Sequence, residues 1–267
     1  MTDPQVSEAQ SRHTPGKVRY HLLDEIRGFA VICMIFYHGF FTLASIFRLD
    51  AGYALLKFFQ PAEPYFAGLF ILISGIASQL THSNLIRGLK LLAVSVLLTL
   101  ATWGLTCLGM EVVIWFGILH MLAVCMLLAA AVNPPLRRLH PAGGLLACAL
   151  LFAVTLHIRD GYIGFPFWKL TLPDAVMNSR LLFPLGIVTD DFFSADYFPL
   201  FPWMFVFFAG ASIGLWAVRG QFPAFFAKSR LRPLSFVGRH ALLIYIVHQP
   251  VLFALFSLIQ WIAQHVS

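Results

Sequence analysis

Long apolar runs separated by short polar stretches dominate this chain from residue 26 onward. The runs are continuously apolar rather than alternating, which argues against membrane-spanning strands and predicts helices. A helix rises 1.5 Å per residue, so about 20 residues cross a bilayer core of about 30 Å. The pattern therefore predicts an all-α, polytopic helical membrane protein with about seven transmembrane helices. We place the predicted spans at 26–47, 65–80, 89–108, 111–132, 142–157, 198–218 and 240–263.

Composition supports a membrane protein. Apolar residues make up 59% of the 267 residues, charged residues only 11%, and mean hydropathy is +0.80. A typical soluble domain has about 25% charged residues. These values exclude a cytosolic enzyme, a disordered chain and a disulfide-rich secreted scaffold. The four cysteines lie inside apolar runs without a CxxC pair, and we interpret them as small buried hydrophobic residues.

The charges predict an orientation. With the N-terminus inside, 13 of the 18 Lys and Arg residues fall on cytoplasmic segments, and eight of the 12 acidic residues fall outside. This asymmetry follows the positive-inside rule, and seven spans then leave the C-terminus outside. The net charge of +6 is thus explained by basic loops, and we expect the lipid bilayer, not nucleic acid, as a partner.

Three segments lie outside the spans. Residues 1–19 predict a flexible cytoplasmic tail before a transmembrane domain of residues 20–267. Residues 158–197 form a long outside loop, which we expect to cap a site or to hold a re-entrant piece near 181–188. Residues 219–239 are basic and aromatic, which favours an interfacial helix on anionic lipid. The alternative for this segment is a contact with a cytoplasmic ligand.

The first span begins with two opposite charges. Asp24 and Arg27 are three residues apart, so they share a helix face and are able to pair. One interpretation is an ion pair at a helix start. The other is a binding site for a phosphate-bearing ligand, because the planar guanidinium of Arg27 suits phosphate.

Three histidines fall at a similar predicted depth. His38, His120 and His248 each lie about 13–15 Å from the nearest predicted membrane surface. Ionisable groups at that depth are costly and usually functional, and histidine is well suited as a base near neutral pH. We therefore predict a shared catalytic site. A zinc site is the disfavoured alternative, because no carboxylate lies at that depth to orient the ligands, so we predict no metal.

Polar residues near the sixth and seventh spans complete the candidate site. Asp196 and Tyr197 stand where the long loop enters the sixth span, and Gln249 follows His248. Asp196 and Tyr197 are explained either as a helix entry with an aromatic belt or as groups aimed at an incoming polar substrate. We predict that Asp196, Tyr197 and Gln249 bind substrate.

Six motifs occur in order over residues 19–252. They are RYHLLDEIRGFAVICMIFYH, GLFILISGIASQL, GLKLL, FGILHMLAV, SADYFPLFPWMFVFFAG and GRHALLIYIVHQPVL. Together they resemble the membrane acyltransferase family typified by heparan-α-glucosaminide N-acetyltransferase, in a short bacterial form.

This resemblance implies transfer of an acetyl group from cytoplasmic acetyl-CoA to an amino sugar on the far side. Arg27 and the inner basic loops would then meet the CoA phosphates, with Asp24 beside Arg27 in the cofactor-binding site. The histidines would meet the thioester, and the 158–197 loop with Asp196 would meet the sugar. Eukaryotic members use a histidine in the loop after the first helix. Residues 39–81 contain no histidine, and His38 is the nearest substitute. We expect an amino sugar or envelope glycan as acceptor and the bacterial-type inner (plasma) membrane as location.

Two other classes of function stay open at this stage. One is a proton-coupled transporter or flippase for a small polar or lipid-linked solute, with histidines as proton relays. The other is a structural or sensor membrane protein without chemistry. The chain shows no internal repeat, which argues against a transporter. A homo-oligomer is a further alternative that the sequence leaves open.

Overall fold

The structure is a computed structural model that describes residues 19–266, apart from the side chains of residues 134–136 and 266. The predicted tail therefore lies outside the described residues, except for Arg19. The helices are α1 (His21–Phe41), α2 (Asp50–Phe59), α3 (Glu63–Gln79), α4 (Asn84–Cys107), α5 (Ile118–Leu136), α6 (Pro141–Thr155), α7 (Asp174–Met177), α8 (Leu200–Val218), α9 (Arg232–Arg239) and α10 (Ala241–Val266). The strands are β1 (Tyr162–Phe165) and β2 (Trp168–Thr171).

Within residues 19–266, six helical stretches are long and apolar enough to cross a membrane. They correspond to predicted spans one, two, three, five, six and seven, and the predicted class of an all-α polytopic membrane protein is confirmed. The fourth predicted span corresponds to the shorter apolar helix Ile118–Asn133. The orientation stays a prediction.

Protein surrounds much of helix α5. Leu119, Met121, Ala123 and Cys125 are at most 3% exposed, and they form the centre of the largest hydrophobic cluster. A helix that is apolar on all sides is typical of a core position.

The chain between the first two predicted spans is more ordered than the sequence suggested. Residues 50–62, expected as a loop, form α2 and a 3₁₀ turn that continues into α3. Lys57, Gln60 and Glu63 interrupt the apolar pattern here, which is why hydropathy alone placed the start of the span at residue 65. A π-helical turn, Thr42–Ile46, ends α1 before α2 begins.

Glycines allow two helix pairs to pack at backbone distance. A Cβ atom at Gly28 of α1 would overlap the carbonyl oxygen of Leu234 in α9, and one at Gly238 would overlap that of Asp24. Gly75 of α3 and Gly210 of α8 make the equivalent approach to each other's helix. Small residues at such crossings are typical of helix packing in membranes.

The long loop contains secondary structure of its own. Strands β1 and β2 form an antiparallel hairpin, and α7 follows. The segment proposed as a re-entrant piece forms a 3₁₀ turn, Phe183–Leu185, and not a helical hairpin. An ion pair of 2.8 Å between Arg180 and Asp191 brackets this turn, and the Tyr197 hydroxyl donates to the Phe183 carbonyl at 2.6 Å. Both contacts join residues of the same loop, so they stabilise its folded conformation.

Candidate active site

Two extended segments fix the position of Asp196. The Ala195 amide donates to the Val113 carbonyl at 2.9 Å, and the Phe198 amide donates to the Phe116 carbonyl at 3.0 Å. This pairing joins the end of the long loop to the residues just before α5. It places the Asp196 side chain at the N-terminus of α5.

Asp196 is 8% exposed, and three elements hold its carboxylate in place. Its Oδ2 accepts hydrogen bonds from the Ile118 amide at 3.2 Å and from the Tyr245 hydroxyl of α10 at 2.5 Å. A helix N-terminus favours a negative charge, and Gly117 allows the approach because a Cβ there would overlap Oδ2. Burial raises the pKa of Asp196, while the hydrogen bonds from Tyr245 and Ile118 oppose that rise.

His120 is engaged through both ring nitrogens. The Gly117 amide donates to Nδ1 at 3.3 Å, and Nε2 lies 3.1 Å from Thr99 Oγ1. Because the Thr99 hydroxyl donates to the Ile114 carbonyl at 2.7 Å, it accepts from His120 Nε2–H. With Gly117 as the N-cap, His120 is the third helical residue. Its bond back to the cap amide resembles the return bond of a capping box.

His38 and His248 meet on facing helices. Their ring centroids are 5.1 Å apart, which joins α1 to α10. His248 Nδ1 lies 2.6 Å from the Tyr245 carbonyl and therefore donates to it. Its Nε2 is buried without a hydrogen-bond partner in the described part of the chain. The structure thus brings two of the three predicted histidines into contact, while the ring of the third packs against Phe116.

A cavity of about 210 Å³ opens between α1, α3, α5 and the loop before α8. Its polar wall consists of Tyr37, His38, Glu63, Asp196 and Tyr245, and its apolar wall includes Met34, Phe66 and Phe70. The side chains of Tyr37, His38 and Glu63 have no hydrogen-bond partner among residues 19–266. This cavity, which we call the His38 cavity, therefore combines a histidine, two carboxylates and three tyrosines in an otherwise apolar space.

Sequence reasoning missed three of these side chains. Glu63 fell in a predicted loop, but it begins α3 and faces Asp196 closely enough to interact electrostatically. Tyr37 adjoins His38, and Tyr245 lies three residues before His248. The signal for Glu63 was the pair Glu63–Pro64 before an apolar run, which is typical of a helix start.

A second cavity lies at the other end of α1. Its volume is about 460 Å³, and its polar wall holds Arg19, Asp24, Arg27, His82 and Arg87. Asp24 pairs with Arg27 at 3.3 Å, the partner the spacing indicated, and also with Arg19 at 2.8 Å. Arg87 and His82 were not among the candidate site residues, because they come from the start of α4 and the turn before it. This cavity is called the arginine pocket below.

The two cavities lie along the same pair of helices. On α1, residues 23–27 line the arginine pocket and residues 30–38 line the His38 cavity. On α3, residues 63–70 line the His38 cavity, while Ala77 and Leu80, at and just beyond the C-terminal end of the helix, line the arginine pocket. A cationic pocket and a cavity that contains histidine and carboxylates therefore lie at two positions along one helix seam.

Two predicted substrate-binding residues have other partners. The Tyr197 ring lines the His38 cavity, but its hydroxyl is bound to the Phe183 carbonyl. Gln249 lies 3.3 Å from the Thr42 hydroxyl, which also donates to the His38 carbonyl at 2.8 Å. Gln249 thus joins α10 to the π-helical end of α1, outside the cavity wall.

The fold and the two cavities define a class: a helical integral membrane protein with an anion-suited pocket and an acid–base cavity along one seam. Residues 19–250 match the family described as heparan-alpha-glucosaminide N-acetyltransferase, catalytic. The match covers most of the chain, and the protein belongs to this family of membrane acetyltransferases. A comparison with curated proteins finds no match, and none is found among solved structures. No group of three or more His, Cys, Asp or Glu side chains within residues 19–266 is arranged to hold a metal ion.

Proposed function

We propose that the protein transfers an acetyl group from cytoplasmic acetyl-CoA to an amino sugar or envelope glycan on the outer side of the membrane. The observation that carries this proposal is the shared seam of α1 and α3. It gives phosphate-binding side chains at one end and an acid–base cavity at the other, as a membrane-crossing transfer requires.

The arginine pocket is the proposed site for the phosphates of the donor. Arg27 is the central group, since its planar donors match phosphate oxygens in a bidentate way. Asp24 accepts from both Arg19 and Arg27 and so holds the two guanidinium groups side by side. Arg87 adds a third arginine on the same wall. The thioester end of the donor would extend along the seam toward His38.

The acceptor is proposed to occupy the His38 cavity. Glu63 and Asp196 would attract the ammonium group of an amino sugar, and His38 would remove a proton from it. The free amine then attacks the thioester carbonyl, the C–N bond forms, and the C–S bond breaks. The attacking nitrogen gives its second proton to the departing thiolate of CoA, which leaves as the thiol. His38 releases the first proton to solvent, so the histidine is regenerated.

Two histidines support His38 in different ways. His248 donates to the Tyr245 carbonyl, which fixes the orientation of its own ring. The fixed ring packs against His38 and limits the movement of the His38 ring on that side. Its buried Nε2 is free to accept a hydrogen bond from His38, which would make it a positioning residue. For His120 the two hydrogen bonds favour a positioning role through α5 and Asp196.

The decisive experiment uses the purified protein in sealed vesicles with labelled acetyl-CoA on one side and glucosamine on the other. We expect labelled N-acetylglucosamine to form, and we expect His38→Ala to lose this product while it still binds CoA. Movement of unmodified glucosamine across the membrane, with no use of acetyl-CoA, would instead identify a transporter.

Sidedness has a separate test. The basic-residue asymmetry predicts the C-terminus outside, so a reporter that works only outside the cytoplasm should be active when fused after Ser267. A matched fusion at residue 135 should be inactive. Activity from the second fusion would contradict the proposed orientation.

A further inference from the structure

The last part of the chain carries positive charges and no acidic side chain to balance them. Residues 219–267 contain Lys and Arg but no Asp or Glu, since Asp196 is the last acidic residue of the sequence. Within residues 19–266, none of Lys228, Arg230, Arg232 and Arg239 forms an ion pair. All four residues are exposed. Arg239 Nε donates to the Ser235 carbonyl at 3.2 Å, and its terminal guanidinium nitrogens remain available to an external anion.

A buried carboxylate of α1 contacts this segment through one of its oxygens. Glu25 of α1 is 3% exposed, and its Oε1 accepts from the Arg230 amide at 2.7 Å, the Leu231 amide at 3.0 Å and the Ser229 hydroxyl at 3.1 Å. Its hydrogen bonds go to the backbone and a hydroxyl, and among the four basic residues it also interacts electrostatically with Arg230. Glu25 thus fixes the segment before α9 to α1.

Helix α9 is held with one face inward and one face outward. Ser235 and Gly238 are buried against α1, where the glycine contact with Gly28 brings the backbones together. Arg232, Phe236 and Arg239 follow the i, i+4, i+7 spacing of one helix face and are exposed. The exposed face thus carries two arginines and a phenylalanine whose ring packs against that of His240, with centroids 4.3 Å apart. We call Arg232, Phe236 and Arg239 the α9 face.

The α9 face adjoins the surface that a bilayer would cover. Helix α9 ends at Arg239 and the spanning helix α10 begins at Ala241. Leu242 and Leu243, in the first turn of α10, are 42% and 59% exposed, as lipid-facing residues would be. Arg239 therefore lies within about one helical turn of the apolar zone.

We propose that the α9 face binds the phosphate of an anionic phospholipid at the membrane surface. Guanidinium groups suit phosphate, and basic residues beside a spanning helix attract anionic headgroups. Phe236 is placed to enter the acyl region, while the arginine stems lie along it and extend their charged ends to the headgroups. This site is separate from the arginine pocket and does not depend on the proposed acyl transfer.

The test compares retention of labelled phosphatidylglycerol and labelled phosphatidylcholine by the full-length protein in detergent micelles. Arg232→Gln/Arg239→Gln should weaken phosphatidylglycerol binding, by about fivefold for each charge removed. Phosphatidylcholine retention should not change. Arg232→Lys/Arg239→Lys keeps both charges and should retain most of the binding.

A matched control removes two cations at the opposite end of the molecule. Lys57→Gln/Lys169→Gln should leave phosphatidylglycerol retention unchanged, and thermal unfolding should show that every variant is folded. Equal retention by the Arg232→Gln/Arg239→Gln variant and the unmodified protein would overturn the proposal. Displacement of the lipid by CoA, with the same sensitivity to Arg232 and Arg239, would also overturn it and assign the face to the donor.

Discussion

His38 and His120 are the same residue type at similar predicted depths, yet their surroundings differ completely. His120 makes two hydrogen bonds that belong to the start of α5. His38 lines a cavity and has no side-chain hydrogen bond within residues 19–266. A buried polar group without a partner is costly, whereas a bonded one stabilises the fold. The comparison teaches that partners, not depth, separate a candidate for chemistry from a structural residue.

The largest expected effect tests the unpartnered histidine. In His38→Ala we expect acetyl transfer to fall by about 10²–10⁴-fold, the usual contribution of a general base, because no other histidine of residues 19–266 lines the cavity. CoA affinity should stay within twofold. The measurement is transfer of labelled acetyl groups together with CoA binding to the same preparation.

Two results would change the role given to His38. Near-normal turnover in His38→Ala, together with loss of turnover in His248→Ala, would assign the role of general base to His248. Label that stays on the protein after incubation with acetyl-CoA alone, and is absent in His38→Ala, would show an acyl-histidine intermediate in place of direct transfer.

Glu63 extends the comparison to a carboxylate without a hydrogen-bond partner. Loss of a charged hydrogen bond is worth about 1.5–3 kcal/mol, so Glu63→Gln should raise KM for glucosamine about tenfold or more. The KM for acetyl-CoA should not change, because the arginine pocket is at the other end of the seam. Steady-state kinetics with each substrate varied in turn provide the measurement.

Glu63→Asp is the matched variant, since it keeps the charge and shortens the side chain by one carbon. It should recover part of the affinity for glucosamine. If both variants raise the KM for acetyl-CoA instead, Glu63 does not belong to the acceptor end.

Arg27 is intermediate between the side chains without a partner and His120 with two partners. Asp24 is its only ion-pair partner among the described residues. Arg27→Lys keeps the charge but loses the planar arrangement of donors. We expect CoA to bind about tenfold more weakly to this variant, measured by titration calorimetry in detergent. Asp24→Asn is the companion variant. If CoA binds to Arg27→Lys as it does to the unmodified protein, the role of Arg27 is limited to its ion pair with Asp24.

The spans and the pair Asp24–Arg27 could be predicted because both rest on local signals. Hydropathy reads consecutive residues, and an i, i+3 spacing fixes two side chains on one helix face. The meeting of His38 with His248, and of Asp196 with Tyr245, joins residues far apart in the chain. No local pattern encodes which helix faces come together. The amphipathic α2 was missed because its charges interrupt the apolar run.

His120 shows a local signal that was present but not used. Gly117 and His120 have the spacing of an N-cap and the third helical residue, and the pairing of the two predicts a cap before any catalytic role. The prediction of His120 as catalytic rests instead on its depth in a predicted span. For Glu63 the corresponding signal is the helix start, since Glu63 is the first residue of α3.

The smallest expected effect belongs to the histidine with two partners. His120→Ala removes the bond to the Gly117 amide and the bond to Thr99, so α5 loses part of its N-terminal cap. Loss of a cap typically costs about 1 kcal/mol, and we expect a lower thermal unfolding midpoint with acetyl transfer reduced severalfold at most. His120→Asn is the matched variant, because its side-chain oxygen is able to accept from the cap amide and should restore part of the midpoint. Acetyl transfer is measured below the unfolding range of each variant, so that stability and turnover are separated. Loss of transfer comparable to His38→Ala, at an unchanged unfolding midpoint, would place His120 in the chemistry and remove the distinction between the two histidines.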